Sequence, residues 1–553
     1  MNIKWLNLSL NRHKKSINCN HMSNKHLSKF FSRSVVKELS IILLFFSFSI
    51  AIRLISLKHG FPLLTHPDES VIVDLVFKMT SARTLNPGNF NRPNQILYTV
   101  NFFYLNILSY IRFGENMGLA FPKHYLSFYA YARFLIAIIG SLIPIVVYKI
   151  GNEFRPKFGW LAALVFALYP SYLMHSVFVT PDIPITLFTL LVMYFTIRYL
   201  NRQEEKSIYI AVVFAAINTA EKYPGLISLM IVFSGIILNT LDESQLDLKK
   251  ALVPIFIKTL KITGVFIGTL FIVAPFLFIE YEVVIEALIR ESRTTHLGAD
   301  NLGWGGNLLF YIRSFYSWTN VLSILFIGIG IYAFIKWKKK SHFILLYGVF
   351  YWILLSALSL HWERWALPMY ITPLFFIAIG MCFLLVKTKE KTKTQWFSIF
   401  TIVIFFILQF VATLHTSIRM SFVDTRVVAL QFSREKGISP ENSLFEGYTP
   451  FMSQHPITIF NEYAEVSSEI EYVILSSSMF GRFYREPDRY NQEILIYEKI
   501  RDNHLLGSFS PEPLAITYFD KIEDITLFFR HGFQIPGSLR LIGPTIEIYK
   551  LQN

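Results

Sequence analysis

The feature that most constrains this chain is a series of apolar runs, each close to the thickness of a hydrocarbon core. The first is "LSIILLFFSFSIAIRLISL" at 39–57. Others follow near 126–148, 158–175, 183–198, 207–219, 223–239, 257–279, 319–335, 343–360, 365–386 and 396–416. A membrane-crossing helix needs about 20 mainly apolar residues, so these eleven stretches predict a polytopic α-helical membrane protein. Charge content agrees. Only 16% of the 553 residues are charged, whereas soluble chains carry about 25%.

Basic residues orient the runs. Lys4, Arg12, Lys14, Lys15, Lys25, Lys29, Arg33 and Lys37 precede the first one, with no acid among residues 1–37. That leader is expected to be cytoplasmic, and the first run an uncleaved anchor. Alternate loops repeat the signal in Lys149/Arg155/Lys157, Arg198/Arg202/Lys206, Lys249/Lys250, "KWKKK" (336–340) and "KTKEKTK" (387–393). The net charge of +14 is therefore a topology signal, and nucleic acid is not an expected partner. Cys19 and Cys382 should lie at different levels, which predicts neither a disulfide nor a cysteine metal site.

One segment, "ILYTVNFFYLNILSYIRF" (96–113), is nearly apolar enough to be a further span. It would invert every later loop, and it contains Asn101 and Asn106. It is read, with 69–82, as a helix lying along the outer membrane face. After residue 416 the composition becomes mixed, with strand-like "EYVILSSS" (471–478) and "PTIEIYKL" (544–551). The expected organisation is a basic cytoplasmic leader (1–37), a transmembrane domain (38–416) and an extracytoplasmic α/β domain (417–553).

This topology gathers polar residues at the outer face: His66, Asp68, Glu69, Arg83, Arg92, His175, Asp182, Glu221, Lys222, His361, Glu363 and Arg364. The turn-rich "LNPGNFNRPN" (85–94) lies among them, and "AEKY" (220–223) is a re-entrant turn bringing Glu221 and Lys222 to the surface. A carboxylate there suits a general base, and cations suit the charge that grows on a departing lipid phosphate. Blander readings stand beside these. The acids can be first-turn residues of helices, Lys222 and Arg364 can snorkel to head groups, and Arg53 and Arg133 can pair with acids near span ends. "GWGG" (303–306) reads either as a flap over the site or as an ordinary turn.

Six segments in this order resemble a known family: "HPDE" (66–69), "LNPGNF", "YARFLIAIIGSLIPIVVYKIGNEF" (131–154), "HSVFVTPDIPITLF" (175–188), "EKYPGLI" (221–227) and "HWERWALPMYITP" (361–373). They are similar to GT-C glycosyltransferases of the protein O-mannosyltransferase and aminoarabinose transferase branch. The resemblance implies an integral enzyme that takes sugar from a polyprenyl-phosphate carrier; a prokaryotic plasma (inner) membrane is the expected compartment, and an endoplasmic-reticulum membrane would have the same topology. A hydroxyl or amine acceptor on a glycan, lipid or protein would receive the sugar with inversion. It implies Asp68 as catalytic base, with Glu69 beside it and Asp182 as the second acidic motif. Arg92, Lys222, His361 and Arg364 are the candidates for the carrier phosphate and substrate. No cofactor is required by the resemblance, although Asp68, Glu69 and Asp182 offer oxygen ligands for Mg²⁺ or Mn²⁺. The alternative is a transporter or lipid flippase, which would place its ionisable residues at mid-membrane.

Overall fold

The structure is a computed structural model that describes residues 33–155, 158–299, 302–337, 339–388, 392–451, 470–513, 517–531 and 540–552. The leader up to residue 32, including Cys19, lies outside the described residues; Cys382 is buried and free. Each of the eleven apolar stretches is helical over most of its length. Six are long and apolar enough to cross a membrane alone: Val36–Ile55, Met117–Phe154, Asp182–Arg202, Tyr223–Glu243, Leu248–Val273 and Lys393–Arg419. The pair Gly303–Ser317 and Leu322–Trp337 is long and apolar enough only when taken together, and its bend of 113° makes it a broken span or a re-entrant loop. This is a multi-pass membrane protein.

The remaining stretches are shorter or broken helices, for local chemical reasons. The 158–175 run divides into Phe158–Ala167 and Pro170–His175, because Pro170 opens a new helix. A proline lacks the N–H that an uninterrupted helix would need there. Lys340–Ser356 and Ile371–Lys387 are also short, and Glu205–Glu221 has 17 residues. Between the first two, the polar segment 361–364 is loop and the start of a 3₁₀ turn, as its exclusion from the apolar runs implied. "GWGG" is neither flap nor turn, since Gly303 begins a 15-residue helix.

Helices 322–337 and 371–387 cross at a pair of glycines. A Cβ on Gly330 would lie 2.0 Å from the Phe376 carbonyl oxygen, and one on Gly380 would lie 2.1 Å from that of Phe326. Backbone contact this close requires residues without side chains, as is common between membrane helices. Gly330→Leu should separate the pair and cost at least about 2 kcal/mol through overpacking. Thermal unfolding of the purified protein checks this, and an unchanged transition would refute the contact.

Pro67–Ala82 begins the polar end of the bundle. His66 is its N-cap, with Nδ1 accepting the Asp68 N–H at 3.3 Å, and Pro67 occupies the first turn. Gln95–Phe113 is absent from the span-forming helices; it buries Leu97, Tyr98, Asn101, Leu105 and Ser109 and exposes Phe103, Ile107 and Ile111. Asn106 donates to Thr80 Oγ1 at 2.9 Å, tying these two helices together.

The C-terminal region forms a four-stranded sheet from Ser443–Phe445 (β1), Tyr472–Ser476 (β2), His504–Phe509 (β3) and Ile546–Lys550 (β4), in the order β1–β2–β4–β3. β1 pairs with β2 in parallel, while β4 runs antiparallel to β2 and β3. The Tyr518–His531 helix docks this region on the Thr392–Arg419 helix, where Asp524 accepts from His415 Nε2 at 2.9 Å and pairs with Arg540 at 2.9 Å.

Candidate active site

Successive residues of a helix point about 100° apart, so Asp68 and Glu69 serve different surroundings. Asp68 faces a cavity and pairs with Arg92 at 3.0 Å and, by a short contact, with Arg364. Burial opposes its ionisation, but the charges of Arg364 and Arg92 outweigh this and hold the carboxyl below its usual range. Glu69 faces inward and is fully buried. Its oxygens take a bidentate pair from Arg133 at 2.8 and 2.7 Å, and also the Val179 N–H at 3.1 Å. Glu69 therefore does not line the cavity, although the sequence puts it beside the base.

Two cavities meet at Asp68 and Arg92. The larger, about 930 Å³, lies between the bundle and the C-terminal sheet region; the smaller, about 150 Å³, is walled by Asn89, Asn91, Tyr98 and Pro181. His66, His175, Glu363 and Arg364 also line the larger one. Burial holds His66 below its usual pKa and pushes Glu363 above its own, Trp318 donating its indole N–H to Glu363.

Asp182 and Lys222 sit beneath this floor. Asp182 is 1% exposed and accepts from Lys222 Nζ at 2.6 Å. Glu221 and Lys222 do break the chain between two helices, but they do not emerge at a surface as expected. The 85–98 segment covers them: Asn94 N–H donates to the Glu221 carbonyl, Leu97 N–H to its carboxylate, and Tyr223 Oη to the Phe90 carbonyl, at 2.9, 2.9 and 2.8 Å. Asx turns shape the same loop. Asn86 Oδ1 accepts from Gly88 N–H at 3.0 Å, and Asn89 Oδ1 from Asn91 N–H at 3.2 Å. That clamp delivers Arg92 to Asp68.

Two candidates lie elsewhere. Arg83 is an exposed helix C-cap, and the His361 ring packs on Phe310 at 4.5 Å while the His361 backbone N–H donates to the Ala299 carbonyl at 3.1 Å. The three carboxylates named as possible divalent ligands are not gathered together. Asp68 pairs with Arg92 and Arg364, Glu69 with Arg133 and Asp182 with Lys222, and among the described residues no group of three His, Cys, Asp or Glu side chains is arranged to hold a metal. Reading the sequence missed Arg293, Arg426, Tyr448, Arg482 and Arg485, which line the larger cavity. The basic pair in "GRFYREP" (481–487) was the available signal.

Residues 129–277 match the family model of dolichyl-phosphate-mannose-protein mannosyltransferases. The Archaeoglobus fulgidus oligosaccharyltransferase, solved with zinc and sulfate, is 14% identical with a TM-score of 0.52, over 86% of this chain and 72% of that one. ArnT from Cupriavidus metallidurans, solved bound to undecaprenyl phosphate, is 13% identical with a TM-score of 0.44, over 81% and 95% of the two chains. No curated protein matches the chain. The fold is similar to that of the oligosaccharyltransferase, and the resemblance to GT-C glycosyltransferases read from the motifs stands.

Proposed function

We propose that the chain is an integral membrane glycosyltransferase. It moves a sugar from a polyprenyl-phosphate carrier to a hydroxyl or amine acceptor on the extracytoplasmic face of the plasma membrane. The observation that carries this reading is the placement of Asp68, Arg92 and Arg364 together at the junction of two cavities, at the polar end of an apolar bundle. The match over 129–277 to a family named for a lipid-phosphate sugar donor supports the donor class.

In this mechanism the Asp68 carboxylate takes the proton of the acceptor as its oxygen or nitrogen attacks the anomeric carbon. The bond from that carbon to the phosphate oxygen breaks, and its electron pair leaves on the phosphate, inverting the centre. Arg92 and Arg364 receive the developing charge. In the absence of donor, both guanidiniums rest on Asp68, which makes it a weak base. An arriving phosphate competes for them and frees the carboxylate, so donor binding arms the base. Glu69 and Arg133 position the first turn, and Lys222, held by Asp182, adds positive field beneath. An apolar groove of about 220 Å³ lined by Ile312, Phe315, Ile327, Trp352 and Phe376 is a candidate seat for the lipid chain.

Mass spectrometry of surface glycans and lipids, with and without the protein, tests the activity; an unchanged set of sugar-modified species would refute it. The pH profile tests the base. A carboxyl held low stays charged until pH falls through its depressed pKa, and Arg364→Gln removes one of the cations holding it down. The acid limb of the transfer rate should then move to higher pH. A limb that stays in place would show that Asp68 is not the titrating base.

A further inference from the structure

Three arginines of the larger cavity have no task in this mechanism: Arg293, Arg482 and Arg485. Among the described residues none of them forms an ion pair with a carboxylate. Arg482 is nevertheless held in place. Its guanidinium donates to Tyr448 Oη at 3.0 Å and lies over that ring at 4.9 Å from the centroid. Gly298 presses on it from the other side, where a Cβ would come within 2.8 Å of the Arg482 Cβ. Leu297 anchors the same loop in the apolar cluster formed by Leu444, Val473, Phe483 and Tyr497. The short helix that carries Arg482 also presents Ser478 to the cavity.

Asp68 holds Arg92 and Arg364, and Arg426 is bidentate on Asp424 at 2.7 and 2.7 Å. Two further carboxylates line the cavity, Glu291 and Glu363, and among the described residues neither forms an ion pair. Arginines still outnumber carboxylates, and those without an acidic partner lie on the wall formed by the C-terminal region and the 293–298 loop. Guanidiniums fixed in a concavity bind phosphate or carboxylate through charge-assisted, planar hydrogen bonds. A carrier phosphate whose lipid chain lies in the bilayer is confined to the bundle end, by Arg92 and Arg364. We infer that the acceptor is acidic, and that Arg482 and Arg485, with Arg293, hold its phosphate or carboxylate while its nucleophile faces Asp68. This inference rests on the proposed transfer reaction and names the substrate class of its water-borne side.

The test uses the full chain in lipid nanodiscs. Trp362 and Trp365 line the same cavity, so their fluorescence can be titrated with inorganic phosphate, citrate and, as neutral control, maltose. Phosphate and citrate should give saturable changes that Arg482→Gln with Arg485→Gln weakens roughly 10- to 100-fold, while maltose gives none. The Lys variants, which keep the charge, should recover part of the response and control for misfolding. In transfer assays, envelope acceptors retained on an anion exchanger should be modified, and the Gln pair should raise the acceptor KM with little change in kcat. Anion titrations unaffected by the Gln pair, or transfer to unretained acceptors alone, would overturn the inference. A raised donor KM with an unchanged acceptor KM would also overturn it, by placing the anion on the donor sugar. Persistent binding of polyprenyl monophosphate by the Gln pair, together with loss of transfer in Asp68→Asn, would leave the proposed reaction standing even if the acidic acceptor failed.

Discussion

Asp68→Asn should lower sugar transfer by about 10²- to 10⁴-fold, the range ascribed to a positioned general base. It should also tighten binding of the carrier phosphate. Both effects have one cause. Asn cannot take the acceptor proton, and it no longer competes with phosphate for Arg92 and Arg364. Side-chain volume is kept, and the Asp68 backbone N–H still reaches His66 Nδ1, so the helix start should persist. Transfer rates and native mass spectrometry with polyprenyl monophosphate separate the two effects. Near-normal transfer would sink the assignment of the base, and weaker carrier binding would sink the idea that donor phosphate draws the arginines away.

The second large effect concerns Glu69 and Arg133, whose side chains are both 0% exposed. Arg133→Leu leaves a buried carboxylate without its cation, a loss of about 3–5 kcal/mol. Replacing a whole buried ion pair with apolar residues often restores stability, but here it should not. Arg133 also donates to the Leu57 and His59 carbonyls at 3.1 and 2.7 Å, and Glu69 accepts the Val179 N–H. Glu69→Leu with Arg133→Leu would strand three backbone groups, each costing about 1–3 kcal/mol. Thermal unfolding in detergent should therefore place the double variant well below the native chain. A double variant as stable as the native chain would show that the pair is not what holds the first turn under Asp68.

Much of the bundle was legible because hydropathy acts over a whole span and needs no partner to be recognised. Helix is found in each of the eleven stretches it marked, and the polar remainder fell at one end, where Asp68, Arg92 and Arg364 do meet. What could not be read depended on contacts distant in sequence. Glu69 looks equivalent to Asp68 until helix phase turns it toward Arg133, 64 residues away. Glu221 and Lys222 look like a surface turn until the 85–98 loop folds over them. The C-terminal arginines were invisible as a site because nothing local says that Arg482 will lie against Gly298 and Tyr448. The break inside the 158–175 run was not read, although Pro170 marks it.

An experimental structure of the full chain with polyprenyl monophosphate tests the central claim most directly. The expected result places the phosphate within hydrogen-bonding reach of Arg92 or Arg364, with Asp68 released from at least one of them and open to the larger cavity. A phosphate seated away from both, with Asp68 still held by the two arginines, would contradict the account.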